Sequence, residues 1–246
     1  YWKAIMLKRQ GQKNQATEML KLLRKKETFY GFLAQAQIEE NEGEILYDQR
    51  NHYPKTFDMT NNFDWKRNEQ LKDILKLFKL QNFSIGLAEW NFFIKDFSIK
   101  KLVNLASYLS EIQIYDRSIS AAIYAQRRNV FKYRYPVVFK ESIIEASRIN
   151  KVPPWLVMGL IRQESRFNKE IKSSAGAIGL MQILPKTAKE TSKNKKVKIN
   201  LTDPVKNISL GSKYLRKLLS QFRNSIPLSL AAYNAGPTRA RKWIAD

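Results

Sequence analysis

The chain has 246 residues, of which 43% are hydrophobic and 12% aromatic, a composition that supplies a packed core and excludes wholesale disorder. It carries 44 Lys and Arg against 22 Asp and Glu, so the formal charge of +22 favours polyanions such as nucleic acid, anionic lipid or an acidic cell-wall polymer. The absence of cysteine excludes disulfides and thiol nucleophiles, and a single histidine, His52 in a predicted surface loop, excludes a multi-histidine metal site. No run of about 18 apolar residues is present, so the sequence predicts no transmembrane segment.

The first part of the chain has the apolar periodicity of helices. Residues 2–37 predict short helices joined by tight turns, one near Gly11, with Thr28 as the cap of a new helix. Because the chain opens inside this helical pattern, we expect it to be a piece of a longer precursor. The segment 48–64 is rich in Asn and Asp and predicts a loop.

Four amphipathic segments follow this loop, separated by breaks of a few residues. They cover residues 66–80, 83–95, 98–112 and 115–128. Short breaks predict an antiparallel helical array, which fits either an α-solenoid of stacked helix pairs or an ordinary helical bundle. Tyr135 and Pro136 interrupt the pattern, and we place a domain boundary there.

After this boundary, a carboxylate lies on the apolar face of a predicted helix. The prolines at 153–154 can occupy the first turn of that helix, and Glu164 follows Ile161 by three positions on its apolar face. Burial raises a carboxyl pKa, which allows a glutamic acid to hold a proton near neutral pH and donate it. The ordinary alternative is a structural ion pair with Arg162 or Arg166.

The segment SSAGAIGLMQILP follows the carboxylate. It contains two glycines three positions apart and a single amide, Gln182, inside an apolar run. Glycine allows a backbone to approach a ligand closely, and a buried amide needs hydrogen-bond partners. The segment therefore fits the wall of a sugar-binding cleft, and it also fits a plain turn between helices.

Two more helices are predicted downstream. Asp203 and Pro204 read as the N-cap and first residue of one helix, and Pro227 starts another that ends at residues 236–237. Tyr233 lies near the end of the latter helix, where it either reaches into a cleft or packs as a core aromatic.

Together, the motifs IRQESRFN, SSAGAIGLMQILPKTA and AAYNAGPTRARKW resemble the catalytic domain of the soluble lytic transglycosylases, which has a lysozyme-like fold. The segment FYGFLAQAQI and the helical array before Pro136 are similar to the superhelical and linker parts of the large members. The resemblance implies an all-α fold, with a solenoid-like superhelical end at 1–47, a helical linker domain at 48–135 and a lysozyme-like catalytic domain at 136–246.

The resemblance also implies a role for individual residues. Glu164 matches the catalytic acid/base, and Ser173 matches a serine whose hydroxyl lies close to the substrate. The other substrate-binding positions match the GLMQ and YNAG signatures and are Gly176, Gly179, Leu180, Met181, Gln182, Tyr233 and Asn234.

The activity implied by the resemblance is a lyase reaction on peptidoglycan. A single carboxylate cuts the bond between N-acetylmuramic acid and N-acetylglucosamine and leaves 1,6-anhydromuramoyl ends, in cell-wall remodelling or turnover. Glu170, Glu190 and Asp203 offer no obvious second carboxylate of the kind most glycosidases use. The resemblance further implies a periplasmic monomer without cofactor or metal, which binds glycan strands and no nucleic acid, with cell-wall synthesis or division proteins as partners.

Two other classes of function fit parts of the sequence. A non-catalytic wall-binding scaffold would keep the fold and the basic charge but has no need for an inward Glu164. A nucleic-acid-binding helical repeat would use the charge and aromatics, with salt-sensitive binding, and leaves the motifs between residues 155 and 240 unexplained.

Overall fold

The structure is a computed structural model, and it describes residues 1–24, 30, 34, 38, 63–125, 131–192 and 199–245. Thirteen α-helices and no β-strand lie in these residues, so the predicted all-α fold is confirmed. The chain divides into two compact units, residues 1–55 and 56–246. The predictions for Thr28, for His52 and for most of the loop 48–64 lie outside the described residues.

The described part of the first unit begins with two short helices. Helix α1 covers Trp2–Arg9 and α2 covers Lys13–Arg24. The chain turns between them at Gly11, where φ is +81°, a backbone angle that glycine adopts at little cost. The predicted turn at Gly11 is confirmed. Buried residues from both helices join in one small cluster, Ala4, Leu20 and Ala34.

The second unit opens with a 3₁₀ turn, Trp65–Arg67, and four helices. These are α3 (Glu69–Lys79), α4 (Phe83–Ile94), α5 (Ile99–Glu111) and α6 (Tyr115–Tyr124). The first three predicted segments are confirmed, and the fourth is confirmed as far as Tyr124, since residues 126–128 lie outside the described residues. Helix α3 packs on α4, and α5 packs on α6. Side chains cap two of these helices: Asn68 Oδ1 accepts the Leu71 N–H at 2.7 Å, and Ser98 Oγ accepts the Lys101 N–H at 3.3 Å. Trp90 is fully buried in the core of this array, and its indole N–H donates to Ser120 Oγ at 3.0 Å.

Seven helices make up the rest of the second unit. They are α7 (Phe131–Arg134), α8 (Lys140–Asn150), α9 (Pro154–Ser165), α10 (Pro185–Thr191), α11 (Pro204–Gln221), α12 (Ile226–Ala235) and α13 (Pro237–Ala245). Helix α11, the longest, packs against α8, α10 and α12. None of the described helices combines the length and the apolar character that a membrane crossing requires.

Prolines begin most of these helices, because the first turn leaves backbone N–H groups unpaired in any case. The predicted starts at Pro154 and Pro204 are confirmed, and the Asp203 carboxylate caps α11 by accepting the Lys206 N–H at 3.1 Å. Three of these helices were not predicted, namely α7, α10 and α13. Gly236 ends α12 as predicted, but Pro237 is the first residue of α13 rather than a simple stop.

The largest hydrophobic core lies around α9 and α11. It includes Val157 and Ile161 of α9, Ile208 and Leu215 of α11, and Ile119 of α6, all at most 1% exposed. Ile119 precedes the domain boundary predicted at residue 136, so the core extends across that position. The three predicted domain ranges remain predictions.

Candidate active site

Glu164 lies in the last turn of α9, on the face that the sequence predicted. Val157 and Ile161 are fully buried, and the Glu164 side chain continues their stripe to the edge of the core, where it is half-buried. Burial raises the pKa of the Glu164 carboxyl above its ordinary value, because the charged form loses contact with water. Among the described residues, Glu164 forms no hydrogen bond and no ion pair. The group is therefore suited to carry a proton and to release it to a ligand.

The structural alternative, an ion pair with a neighbouring arginine, is not found in the described residues. Arg162 turns away from Glu164: its Nε donates to the carbonyl oxygen of Arg134 at 2.9 Å, and its guanidinium lies 4.4 Å from the centre of the Tyr135 ring. Arg166 is exposed and lies beyond the end of the helix. Neither arginine holds the Glu164 carboxylate in its charged form.

Ser165, the last residue of α9, fixes the backbone conformation at the C-terminal end of this helix, directly after Glu164. The side chain is 4% exposed; its hydroxyl donates to the Ile161 carbonyl at 3.1 Å and accepts the N–H of Phe167 at 3.1 Å. The next two residues, Arg166 and Phe167, take left-handed backbone angles, with φ of +49° and +65°. Residues other than glycine adopt such angles mainly where surrounding contacts hold them. Ser165 was not predicted from the sequence. A serine at the end of a predicted helix is nevertheless a signal for helix termination, because its hydroxyl can bond to nearby backbone groups.

The segment after α9 folds into a tight loop over residues 173–183. Ser173 closes its first turn, because its hydroxyl oxygen accepts the Ala177 N–H at 3.0 Å while its own N–H donates to the Ala177 carbonyl at 2.9 Å. Ile178 and Ile183 then exchange two backbone hydrogen bonds, both of 3.1 Å. Ser173 is half-buried, and its hydroxyl proton is left for another acceptor.

Asn207 of α11 anchors this loop and was also missed by the sequence analysis. Its side chain is fully buried; Oδ1 accepts the Met181 N–H at 2.8 Å, and Nδ2 donates to the carbonyls of Ile178 and Leu201 at 2.9 and 2.8 Å. The signal in the sequence is an amide on the buried face of an amphipathic helix, which requires polar partners from elsewhere in the fold.

The glycines and apolar residues of the GLMQ signature fit closely against the same helix. Gly179 has φ of +79°, and a Cβ there would collide with the Leu201 carbonyl and the Asn207 amide. Leu180 and Met181 are fully buried, and Met181 fills the space left by the missing side chain of Gly211. The close backbone approach at Gly179 is thus to the protein. Any contact of Leu180 or Met181 with a ligand is made by backbone atoms.

Gly176 and Gln182 are half-buried and leave room for a ligand. Gly176 has φ of +81°, and a Cβ there would meet no atom within 4 Å. Gln182 is half-buried, and its amide nitrogen donates to the carbonyls of Gly179 and Ile171 at 3.0 and 3.2 Å. The side-chain oxygen of Gln182 has no partner among the described residues, so it can accept a hydrogen bond from a hydroxyl or amide.

Tyr233 brings α12 to the loop and to Glu164. Its hydroxyl donates to the Met181 carbonyl at 2.8 Å, and its ring packs against Tyr214 with centroids 5.3 Å apart. Burial, with further contributions from the charges of Glu164 and Tyr214, holds the pKa of Tyr233 well above its usual range. Tyr233 is therefore both a core aromatic and a neutral hydroxyl beside the catalytic candidate.

Asn234 is placed differently from its neighbour. Its side chain is exposed and forms no hydrogen bond with the described residues. The structure thus brings together Glu164, the loop 173–183 and Tyr233, and leaves Asn234 at the surface, where its part in binding stays a prediction.

This chain is similar to known proteins in sequence and in fold. Residues 141–246 match the family model described as the transglycosylase SLT domain. The soluble lytic murein transglycosylase of Escherichia coli K12 is 32% identical over 251 residues, which cover 100% of this chain and 38% of that protein. A putative soluble lytic murein transglycosylase of Haemophilus influenzae is 29% identical over 248 residues, covering 99% of this chain and 40% of that protein.

Solved structures give the same result for the fold. The crystal structure of the 70 kDa soluble lytic transglycosylase of Escherichia coli superposes with a TM-score of 0.70 at 30% identity, over 100% of this chain and 39% of that one. A lytic transglycosylase of Pseudomonas aeruginosa gives 0.71 at 26% identity, over 100% and 40% of the two chains. This chain therefore spans about two fifths of the length of these relatives. The chain thus carries a transglycosylase SLT domain at residues 141–246 and is similar along its whole length to soluble lytic transglycosylases.

Proposed function

We propose that this chain carries the catalytic part of a lytic transglycosylase that cleaves the glycan strands of peptidoglycan. The bond cut is the β-1,4 bond between N-acetylmuramic acid and N-acetylglucosamine, and the products end in 1,6-anhydromuramoyl residues. The observation that carries this proposal is Glu164, a half-buried carboxyl with a pKa raised by burial and no charged partner in the described residues.

In the first step, protonated Glu164 donates its proton to the glycosidic oxygen, and the bond from that oxygen to the muramoyl C1 breaks. The acetamido oxygen of the same sugar stabilises the positive charge that develops at C1. Glu164, now a carboxylate, accepts the proton of the muramoyl 6-hydroxyl, whose oxygen forms the new bond to C1. The carboxyl is thus restored, and no water is consumed.

One carboxylate is enough for this route, and the surroundings of Glu164 support it. A second carboxylate close by would raise the pKa of Glu164 through repulsion between like charges, yet burial is the cause of the raised pKa. Asp203 is occupied elsewhere, because its carboxylate caps α11.

The loop and α12 supply the surroundings of the substrate. We assign to the free side-chain oxygen of Gln182 and to the hydroxyl of Ser173 the binding of sugar amide and hydroxyl groups. Tyr233 stays neutral and keeps the GLMQ backbone at a fixed distance from Glu164. The strong positive charge of the chain favours the anionic wall, and we place the protein in the periplasm, where that substrate lies.

The experiment is mass spectrometry of the products from purified peptidoglycan. We expect muropeptides that end in 1,6-anhydromuramic acid. Their mass is lower than that of the hydrated form by one water molecule, about 18 Da, because no water enters the reaction. Hydrated reducing ends would identify a lysozyme-type hydrolase instead. Uncleaved strands would indicate a non-catalytic wall-binding protein.

A further inference from the structure

A cavity of about 610 Å³, open to solvent, adjoins the candidate active site at Ile171, whose carbonyl accepts a hydrogen bond from the Gln182 amide. Its walls come from α3, from the starts of α4 and α6, and from residues 167–171 that follow α9. Glu164, Gln182 and Tyr233 do not line it. Much of its wall is aromatic, contributed by Phe78, Phe83, Tyr115, Phe139 and Phe167.

Positive charge predominates around this cavity. Five cationic side chains line it against two anionic ones, and the cationic set is Lys72, Lys76, Lys79, Arg117 and Lys169. Of these, Lys72 pairs with Glu69 outside the cavity at 2.7 Å. Lys76 and Lys79 are exposed and form no ion pair with the described residues, so both are available to a ligand.

Arg117 forms a buried cation in the wall of the cavity. The residue is 7% exposed, and its guanidinium lies 4.2 Å from the centre of the Phe78 ring. Its Nε donates to Asp116 Oδ2 at 3.3 Å, while its Nη1 is buried without a hydrogen-bond partner in the described residues. Burial lowers the pKa of Arg117, and the nearby charge of Arg166 lowers it further. An unpaired donor on a buried guanidinium costs stability that an anion would restore.

The N-terminus of α6 opens into the same cavity. No side chain caps this end at Ile114, and the first helical hydrogen bond is made by the Ser118 N–H. The first-turn residues Tyr115, Asp116 and Arg117 line the cavity, their N–H groups form no backbone hydrogen bond with the described residues, and the helix dipole favours negative charge there. The Asp116 carboxylate lies in this turn but does not cap it, because it is held by Arg117 and, at 3.5 Å, by the amide of Asn168.

We propose that this cavity binds a free carboxylate of the peptidoglycan stem peptide, with the apolar parts of that peptide against the aromatic wall. The anion-binding groups are the N–H groups of the first turn of α6, Arg117 and the rim lysines. A glycan would need many uncharged polar partners, and in the wall these side chains are Gln81, Gln113, Asn168 and the hydroxyl of Tyr115. That the carboxylate comes from the wall rests on the proposed function.

The test is calorimetric titration of the 246-residue chain with the tripeptide L-Ala-γ-D-Glu-meso-diaminopimelate, in the presence of saturating chitotetraose. The chitotetraose occupies the glycan cleft, so the signal reports binding elsewhere. We expect binding that the fully amidated tripeptide does not show. Loss of the signal on adding chitotetraose would place the peptide in the glycan cleft and overturn the proposal, and so would binding of inorganic phosphate without binding of the tripeptide.

Charge reversal locates the site. The double variant Lys76→Glu, Lys79→Glu should weaken binding by about tenfold, because it replaces two rim cations with anions. The matched control is Lys66→Glu, Lys217→Glu, which makes the same change in net charge at two exposed lysines that do not line the cavity. Equal weakening in both variants would show a nonspecific charge effect and refute the site.

A second variant tests the buried cation without leaving an unpaired charge. Asp116→Asn with Arg117→Met removes both members of the ion pair at nearly constant volume. We expect loss of tripeptide binding with the melting temperature maintained; unchanged binding in a folded variant would contradict the proposal. If the double variant does not fold, the lysine variants decide. Since the readout is binding, it is independent of the product analysis that tests catalysis.

Discussion

The hydroxyl of Tyr233 donates a hydrogen bond of 2.8 Å to the carbonyl oxygen of Met181, 52 residues earlier in the chain. This bond joins the end of α12 to the loop that presents Gln182, and it sets the tyrosine beside Glu164. The two signatures YNAG and GLMQ are therefore connected by direct contact.

Replacing Tyr233 with Phe keeps the ring and removes this bond. We expect the free energy of unfolding to fall by about 1–2 kcal/mol, because the Met181 carbonyl loses its buried partner. The rate of peptidoglycan cleavage should also fall, since the loop is no longer fixed relative to Glu164. Urea unfolding and turnover assays measure the two effects. Tyr214→Phe is the control: its ring packs on Tyr233 and its hydroxyl makes no hydrogen bond with described residues, so both quantities should change little.

Glu164→Gln is the direct test of the catalytic acid. Glutamine has nearly the same shape but cannot donate and recover a proton, and we expect the cleavage rate to drop by at least about 10²–10⁴ fold. The circular dichroism spectrum and glycan binding should be retained. Glu141→Gln, an exposed change of equal charge on α8, should cleave like the parent chain. Full activity of the Glu164 variant would remove this residue from the mechanism.

The raised pKa of Glu164 also predicts how stability changes with pH. The folded state holds the proton more tightly than the unfolded state, so the carboxyl lowers stability as pH rises from the ordinary value of 4.5 through the folded pKa. Glu164→Gln should therefore be more stable than the parent at pH 7. The difference should vanish below about pH 4. Thermal melts at the two pH values measure it, and a parent more stable than the variant at pH 7 would indicate an undetected stabilising partner.

Gly179 and Gly176 separate two costs of adding a side chain. Both have φ near +80°, but a Cβ at Gly176 enters open space, while one at Gly179 meets Leu201 and Asn207. We expect Gly176→Ala to cost about 1 kcal/mol from the backbone angle alone. Gly179→Ala should cost about 3 kcal/mol or more, because the loop must move away from α11. Denaturant midpoints of the two variants measure the difference. Equal midpoints would mean that the loop can move away from α11 without loss of stability.

Asn207→Ala should be among the most damaging changes in the loop region. It leaves the Met181 N–H and the Leu201 carbonyl without partners in the core and removes one of the two hydrogen bonds to the Ile178 carbonyl, for an expected loss of about 2–5 kcal/mol. Asn150→Ala is a suitable comparison, because that side chain makes one hydrogen bond, of 2.8 Å to Ala146, and should cost about 1 kcal/mol or less. Similar losses in both variants would contradict the anchoring role of Asn207.

Local signals in the sequence were sufficient for much of the fold. Asp203 with Pro204 fixes the start of α11, and the spacing from Ile161 places Glu164 on the buried face of α9. Pro237 misled the prediction, because proline both follows the end of one helix and begins another, and only the packing of α13 on α12 distinguishes the two.

The site was less predictable where its contacts are distant in sequence. Met181 meets Asn207 and Tyr233 across 26 and 52 residues, and no local pattern contains such a separation. For the same reason, the sequence predicted that the Gly179 backbone approaches a ligand closely. In the structure, the Gly179 backbone packs closely against Leu201 and Asn207 of the protein itself.

Ile119 also has a consequence for how this protein can be divided. Although it belongs to α6, its side chain is fully buried among residues of the core that supports Glu164. A fragment cut at residue 136 would leave a hole in that core and would bare an apolar surface to water. We therefore expect a fragment that begins at residue 136 to be less stable than one that begins before Tyr115, whose ring also packs against that core.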